Sequence, residues 1–305
     1  MKAMVCTKYG SPDVLELQEI DKPVPKDNEV LVKIVTTTVN SGDCRVRGLR
    51  GPLLLRIAMQ LIMGLRKPRQ PILGVELAGE IESTGKDVTK FRAGDRVFAF
   101  TGMKCGAYTE YICLHEDGLL AIKPDRVTFE EAAAVSFGGT TALHFFRKAN
   151  IRQGQKVLIY GASGAVGTAA VQLAKYYGAE VTGVCSTANV GLVRSLGAGK
   201  VIDYSKEDFT KSGELYDMIF DAVGKSLKSN CRKALVPNGK YVSVVGQGVA
   251  KVLQEDLMLL KELMETGKLK PVIDRRYTLK KIPEAHRYVD QGHKKGSVVI
   301  IVAES

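Results

Sequence analysis

The stretch Val157 to Thr187, VLIYGASGAVGTAAVQLAKYYGAEVTGVCST, narrows the possible folds more than any other part of the chain. An apolar β-like run meets a glycine turn, an alanine-rich helical pattern follows, and a second apolar run closes the unit within about 30 residues. That order builds a strand, a crossover helix and a parallel strand. The turn reads Gly161-Ala162-Ser163-Gly164-Ala165-Val166-Gly167, an A-x-G-x-x-G string with one more glycine in front. Gly164 offers a backbone that a pyrophosphate can approach, Gly167 allows helix and strand to pack closely, and free amides at the helix start face the anion. A glycine string alone is weak evidence, but between an apolar strand and a helix it points to a bound dinucleotide.

From Lys156 onward strand and helix patterns alternate through EVTGVCS, NVGLVRSLGA, KVIDY, YDMIFDAV, SLKSNCRKALV, KYVSVVG and QEDLMLLKELMETG. Such alternation is the mark of an α/β domain with a doubly wound parallel sheet. The first part of the chain reads differently. KAMVCTKYG, VLELQEI, EVLVKIVTTTVN, ELAGEIESTG and RVFAF are short runs bounded by Gly, Pro, Asp and Asn, which predict a barrel-like β domain. The pattern becomes helical in the stretch after Pro124, with Glu130 and Glu131 in a first turn. After the alternating stretch, PVIDRRYTL, a helix from Pro283 to Gln291 and SVVIIV return to β, so the end is expected to rejoin the first domain. A chain of 305 residues has room for two cores. The expected division is 1–123, 124–266, and 267–305 rejoining the first.

The formal charge of +11 raises nucleic acid as a partner, but Lys and Arg are spread along the chain with no zinc-finger, RNP or basic-arm pattern. No nucleic acid is expected, and the charge reads as a solvated surface that in part serves an anionic cofactor. Six cysteines, Cys6, Cys44, Cys105, Cys113, Cys185 and Cys231, form no C-x-x-C, and MKAMVCTKYG lacks the apolar core of a signal peptide. Free thiols and a cytoplasmic location are the expectation. One stretch stands apart. Arg45 to Arg69 holds seven Arg or Lys and no acid around the apolar run Leu53 to Leu65, which Arg56 and Gln60 interrupt. The run is shorter than the roughly 20 residues that span a bilayer. An interfacial helix touching a membrane surface is one reading; the favoured one is a helix buried in a core or lining an apolar cleft.

An NAD site usually places Asp or Glu about 20 residues after the glycine turn, at the end of the second strand, to bind the ribose 2′-hydroxyl. Here Cys185-Ser186-Thr187 stands in that place, so hydroxyls are available to a 2′-phosphate and no carboxylate follows the strand. NADPH is the expected cofactor. Ser186 or Thr187 can equally cap the following helix.

Together, PILGVELAGEI, FRAGDRVFAF, VSFGGTTALHFF, YGASGAVG, VIDY and HKKGSVVI resemble the zinc-independent NADPH:quinone oxidoreductase branch of the medium-chain dehydrogenase/reductase superfamily over nearly the whole chain. The resemblance implies a GroES-like β-rich domain, a Rossmann domain, and hydride transfer in an interdomain cleft. It also implies that no metal binds. Metal-dependent members carry a zinc-binding Cys where this chain has Asn40, and a G-H-E triplet where it has Gly74-Val75-Glu76. Asn and Val are not the thiolate and imidazole that zinc prefers. The four-Cys lobe of those enzymes is absent as well.

Carried onto this chain, the family's nicotinamide and phosphate contacts fall on Asn40, Thr141, the 161–167 turn, Ser186, Thr187 and Tyr204. Asn40 is then the donor to a carbonyl acceptor, with Asp43 holding its loop or touching substrate. The acceptor would be a small electrophile, a quinone or an α,β-unsaturated carbonyl. Two departures stand out. Relatives carry Arg or Lys after the Ser-Thr pair where this chain has Ala188, a loss that Lys175, Lys206 or Lys295 would have to offset. Relatives also insert an edge strand used for dimer pairing, where Gly246 to Gln254 here connects directly, which puts a homodimer in doubt. Two alternatives remain open: an enoyl thioester reductase, whose phosphorylated carrier suits the basic stretch 45–69, and an NADPH-binding structural or sensory protein with little turnover.

Overall fold

The computed structural model describes residues 1–51, 53–226 and 228–303. Contacts group the chain into two compact units, 1–136 with 273–305, and 137–272. In chain order the first unit opens with β1 (Lys2–Cys6), β2 (Leu15–Glu19), β3 (Glu29–Val39), α1 (Ser41–Gly48), α2 (Leu53–Met63), β4 (Glu76–Thr84), β5 (Arg96–Phe100), β6 (Tyr111–His115) and β7 (Leu120–Ile122). The helix α3 (Phe129–Ala149) contains the division. The second unit holds β8 (Lys156–Tyr160), α4 (Ala165–Tyr176), β9 (Glu180–Cys185), α5 (Val190–Ser195), β10 (Lys200–Asp203), β11 (Tyr216–Asp221), α6 (Lys228–Cys231), β12 (Leu235–Ser243) and α7 (Gln254–Glu265). The first unit then resumes with β13 (Ile273–Thr278), α8 (Ile282–Asp290) and β14 (Ser297–Ile301).

In the first unit the sheet runs β13-β14-β3-β4-β5-β7, with β6 also on β3, while β1 and β2 form a separate antiparallel pair. The long strand β3 serves two cores. Val30, Val32 and Ile34 alternate onto one face and pack with Leu77, Ile81, Val97 and Leu120. Past the register shift between Ile34 and Thr36, Val39 belongs instead to a cluster with Met4, Leu15, Tyr108, Ile282, Ala285 and Val298. The C-terminal residues of the chain thus help to close the core around the end of β3, where Asn40 follows.

In the second unit, among the described residues, five parallel strands run β10-β9-β8-β11-β12. Leu158, Val184, Ile202 and Ile219 supply one buried residue from each of four adjacent strands. Strands covered on both faces read as unbroken apolar runs, which is the pattern of VLIY in β8 and MIF in β11. The order reverses between β8 and β11, and the crevice at the carboxyl ends beside such a switch is where doubly wound sheets bind ligands.

Two expectations need correction. The helix predicted over SLKSNCRKALV shrinks to α6, because Leu235 already pairs with Tyr216 at the start of β12 and Ser229 and Asn230 are weak helix formers; Leu227 lies outside the described residues. Burial in a core, one half of the favoured reading of the run 53–65, also fails over its later residues. Ile57 is 45% exposed, Leu61 61%, Ile62 65% and Leu65 67%. No described helix is long and apolar enough to cross a membrane.

Candidate functional site

At the carboxyl end of β8 the chain turns at Gly161, which has φ +78°, and α4 begins at Ala165 with Gly164 as its N-cap. No side chain caps this helix, so the amides of its first turn are left for another acceptor. The two later glycines do different work. A Cβ on Gly167 would lie 2.1 Å from the Gly161 carbonyl oxygen and 2.8 Å from Ala162, so only glycine lets α4 pack on the turn. A Cβ on Gly164 would have nothing closer than the same oxygen at 3.7 Å. That open space beside uncapped amides fits the phosphates of a dinucleotide.

The turn is tied to β9. Gly161 and Ala162 both donate their amides to the Val184 carbonyl at 3.0 Å, and Ala162 and Val166 are buried. Asn189, which nothing in the sequence motif marks, donates through Nδ2 to both the Ser163 and the Ser186 hydroxyls at 3.1 Å. Tyr204 is 54% exposed and donates its amide to the Cys185 carbonyl, which places it at the same strand ends. Thr141 is buried on α3 and stands outside this hydrogen-bonded set.

The expectation that no acid stands near Ser186 and Thr187 is corrected by the sheet order. β10 lies beside β9, and its last residue, Asp203, accepts hydrogen bonds from the Thr187 hydroxyl and from the amide and hydroxyl of Ser205. Those donors hold its carboxyl below the usual range, so it is ionised at neutral pH. Lys206 lies 3.8 Å from it. Lys175, named as a possible substitute for the missing cation, sits in the last turn of α4 against Gly197, about 15 Å along the helix from the glycine turn.

In the first unit Asn40 follows β3 and caps α1. Its Oδ1 accepts from the amides of Gly42 at 2.8 Å and Asp43 at 3.1 Å, while the Asp43 carboxylate accepts from the Asn40 amide at 3.0 Å. This is a reciprocal capping box. The Asn40 Nδ2 is buried and has no partner among the described residues. Other buried side-chain atoms, among them Thr36 Oγ1 and Arg47 Nε and Nη1, also lack a partner among the described residues; what sets Nδ2 apart is that its own amide oxygen is fixed by the capping box, so the donor is held in place and free.

Behind it lies a buried polar chain. Tyr108 crosses Gly74, where φ is +85° and a Cβ would lie 2.4 Å from the ring, and donates its hydroxyl to Asp43 at 2.9 Å. The Tyr108 oxygen is 3.2 Å from His286 Nε2, and Cys44 Sγ is 3.3 Å from His286 Nδ1. Burial pushes His286 well below its ordinary pKa. The neutral ring then donates from Nε2 to Tyr108 and accepts the thiol at Nδ1. Burial raises the Asp43 carboxyl to about 7, against the opposing pull of the donors on it. Tyr108 and His286 carry no motif; only the fold identifies them.

Among the described residues no group of three or more His, Cys, Asp or Glu side chains is placed to hold a metal ion.

The chain matches two described families of domains. Residues 26–125 match the alcohol dehydrogenase GroES-like domain, and residues 165–268 and 247–300 match zinc-binding dehydrogenase models. A 2-methylene-furan-3-one reductase of Solanum lycopersicum is 33% identical over 98% of this chain and 79% of its own length. A chloroplastic NADPH-dependent alkenal/one oxidoreductase of Arabidopsis thaliana is 32% identical over the same shares. The solved quinone oxidoreductase of Coxiella burnetii superposes with a TM-score of 0.89 at 29% identity, covering 99% of each chain.

Proposed function

Since the chain belongs to the quinone oxidoreductase branch of the medium-chain dehydrogenase/reductase superfamily and is an NAD(P)H-dependent oxidoreductase, we propose that it reduces quinones and α,β-unsaturated carbonyls with NADPH and without a metal. The observation that carries the cofactor half of this reading is the uncapped start of α4 beside the open face of Gly164. Bound there, a nicotinamide dinucleotide supplies the hydride.

The protein's own residues do the rest. First-turn amides of α4 take the phosphates. Ser186, whose oxygen accepts from Asn189, keeps its proton for an adenosine phosphate, and Tyr204 stands exposed at the neighbouring strand end. The charge of Asp203 is engaged by three hydrogen bonds and faced by Lys206, so the acid moderates a preference for NADPH without reversing it. Asn40, clamped by its capping box, offers Nδ2 to the acceptor oxygen on which negative charge develops. A conjugated acceptor is already polarised at the carbon that receives hydride, whereas oxidation of an alcohol needs its pKa lowered, a task for a Lewis acid. Asn40 and Val75 supply no thiolate or imidazole to hold one.

The test is a steady-state screen of NADPH and NADH against quinones, enones, enoyl thioesters and simple alcohols. Oxidation of NADPH by quinones or enones with negligible alcohol oxidation is the expected result. Preferred turnover of enoyl thioesters would move the acceptor class, and strong alcohol dehydrogenase activity would overturn the reaction. Binding without turnover against every acceptor would leave a sensory or structural role.

A further inference from the structure

We propose that the segment 45–69 docks this protein on an anionic lipid surface, with α2 lying in the plane of the interface. The inference does not depend on the reaction assigned above. Ile57, Leu61 and Ile62 share one face of α2, Leu65 follows just past its end, and all four are between 45% and 67% exposed. Large apolar side chains exposed singly need no explanation, but three on one helix face with a fourth just past its end do. At 11 residues α2 is about 16 Å long, far short of a bilayer core, so it can lie on a membrane and cannot cross one.

Charge selects the occupant. No acidic residue occurs between Asp43 and Glu76. Arg47 and Arg50 are spent on Asp290. Arg45, Arg56, Arg66, Lys67 and Arg69 are exposed and, among the described residues, make no ion pair. An apolar row bordered by unpaired cations matches acyl chains below a layer of anionic headgroups. A second copy of the chain fits poorly, since a two-fold contact through this face would set five cations against five.

The chain contains no tryptophan, so Leu61→Trp introduces a single reporter at an exposed position. The full-length variant is titrated with phosphatidylcholine vesicles with and without about one third phosphatidylglycerol, at low and high salt, and cosedimentation of the unmodified protein runs alongside. The expected result is a blue-shifted emission and roughly tenfold stronger partitioning on the anionic vesicles, both lost in high salt. Leu61→Gln with Ile62→Gln, and separately Arg66→Glu with Lys67→Glu, should each cut partitioning by about tenfold while circular dichroism and quinone reduction in free solution stay unchanged. Equal binding to both vesicle types, no binding, or paired variants that bind like the parent would overturn the proposal. So would a lipid-free dimer that the Leu61→Gln, Ile62→Gln pair makes monomeric, because the face would then belong to a second copy.

Discussion

At the start of α4 the proposed dinucleotide seat is made of glycines and backbone amides within seven residues, whereas the polar shell behind Asn40 is assembled from Asp43, Tyr108 and His286, which lie far apart in the chain. The first is open and the second is closed. Gly164 has empty space beside it, while Asp43, Tyr108 and His286 are all buried. A binding surface built from backbone asks little of distant residues, so it tolerates change wherever the glycines remain. A donor held in a buried network depends on every partner, because each one removed leaves an unmatched polar group in a low-dielectric interior.

The sharpest break in that comparison is Asp43→Ala. It strips an acceptor from both the Asn40 amide and the Tyr108 hydroxyl, so urea unfolding should show a loss of about 3–5 kcal/mol. Asp43→Asn tests the charge. The raised carboxyl, with a folded pKa of about 7 against an unfolded value near 3.9, stabilises the native state fully below pH ~4, and that stabilisation is lost as pH rises through ~7. His286 works the opposite way, since its buried neutral ring costs stability as pH falls below about 6.5. The stability advantage of the unmodified protein over Asp43→Asn should therefore shrink between pH 4 and pH 7. An advantage that does not change with pH would mean that Asp43 titrates normally.

Next in size is the contrast between two glycines of one turn. Gly167→Ala forces a Cβ into the Gly161 carbonyl and should cost about 3 kcal/mol or prevent folding of the second unit. Gly164→Ala meets open space, so stability should hold within about 1 kcal/mol while dinucleotide affinity, measured by calorimetry, falls. Equal stability losses in the two variants would show that Gly164 is a packing residue as well.

Asn40 joins the two kinds of site, because one end of its amide is structural and the other is unused. Asn40→Ala removes the helix cap together with the donor, and about 1 kcal/mol of its effect is stability alone. Asn40→Ser keeps a capping oxygen and loses the reach of Nδ2. Its turnover with a quinone should fall by roughly 30- to 100-fold with little change in cofactor affinity. Full turnover in Asn40→Ser would remove Asn40 from the chemistry. The smallest effect is expected at Asp203, where Asp203→Asn takes a negative charge from beside Thr187 and Ser205 and should raise the NADPH over NADH ratio by a few fold. A ratio that falls would mean that Asp203 organises the phosphate site through its acceptors more than it repels the phosphate.

Local order was legible where the physics is local. The glycine turn stands between β8 and α4 as its spacing predicts, and the strands KVLIY and EVTGVC pair in parallel beside it. Both follow from steric rules and amide geometry acting over a few residues. The same holds for the first-unit strands, whose alternation puts Val30, Val32 and Ile34 on one face. Helix prediction failed over SLKSNCRKALV, where strand pairing with β11 overrode a weak local preference.

The sequence by itself determined the two kinds of domain and the glycine turn between β8 and α4. Only the tertiary structure decided three other matters. β10 brings Asp203 beside Thr187 because it is the strand next to β9, and no spacing along the chain announces that neighbour. The return of the chain end as α8 sets His286 against Cys44 and Tyr108, residues 242 and 178 positions away. The later apolar residues of α2, Ile57, Leu61 and Ile62, are exposed even though the composition of the run reads as core. In each case the cause is the same: hydrophobic pattern states what a segment can bury, while sheet order and long-range closure determine which partner, if any, arrives to bury it or share its hydrogen bonds.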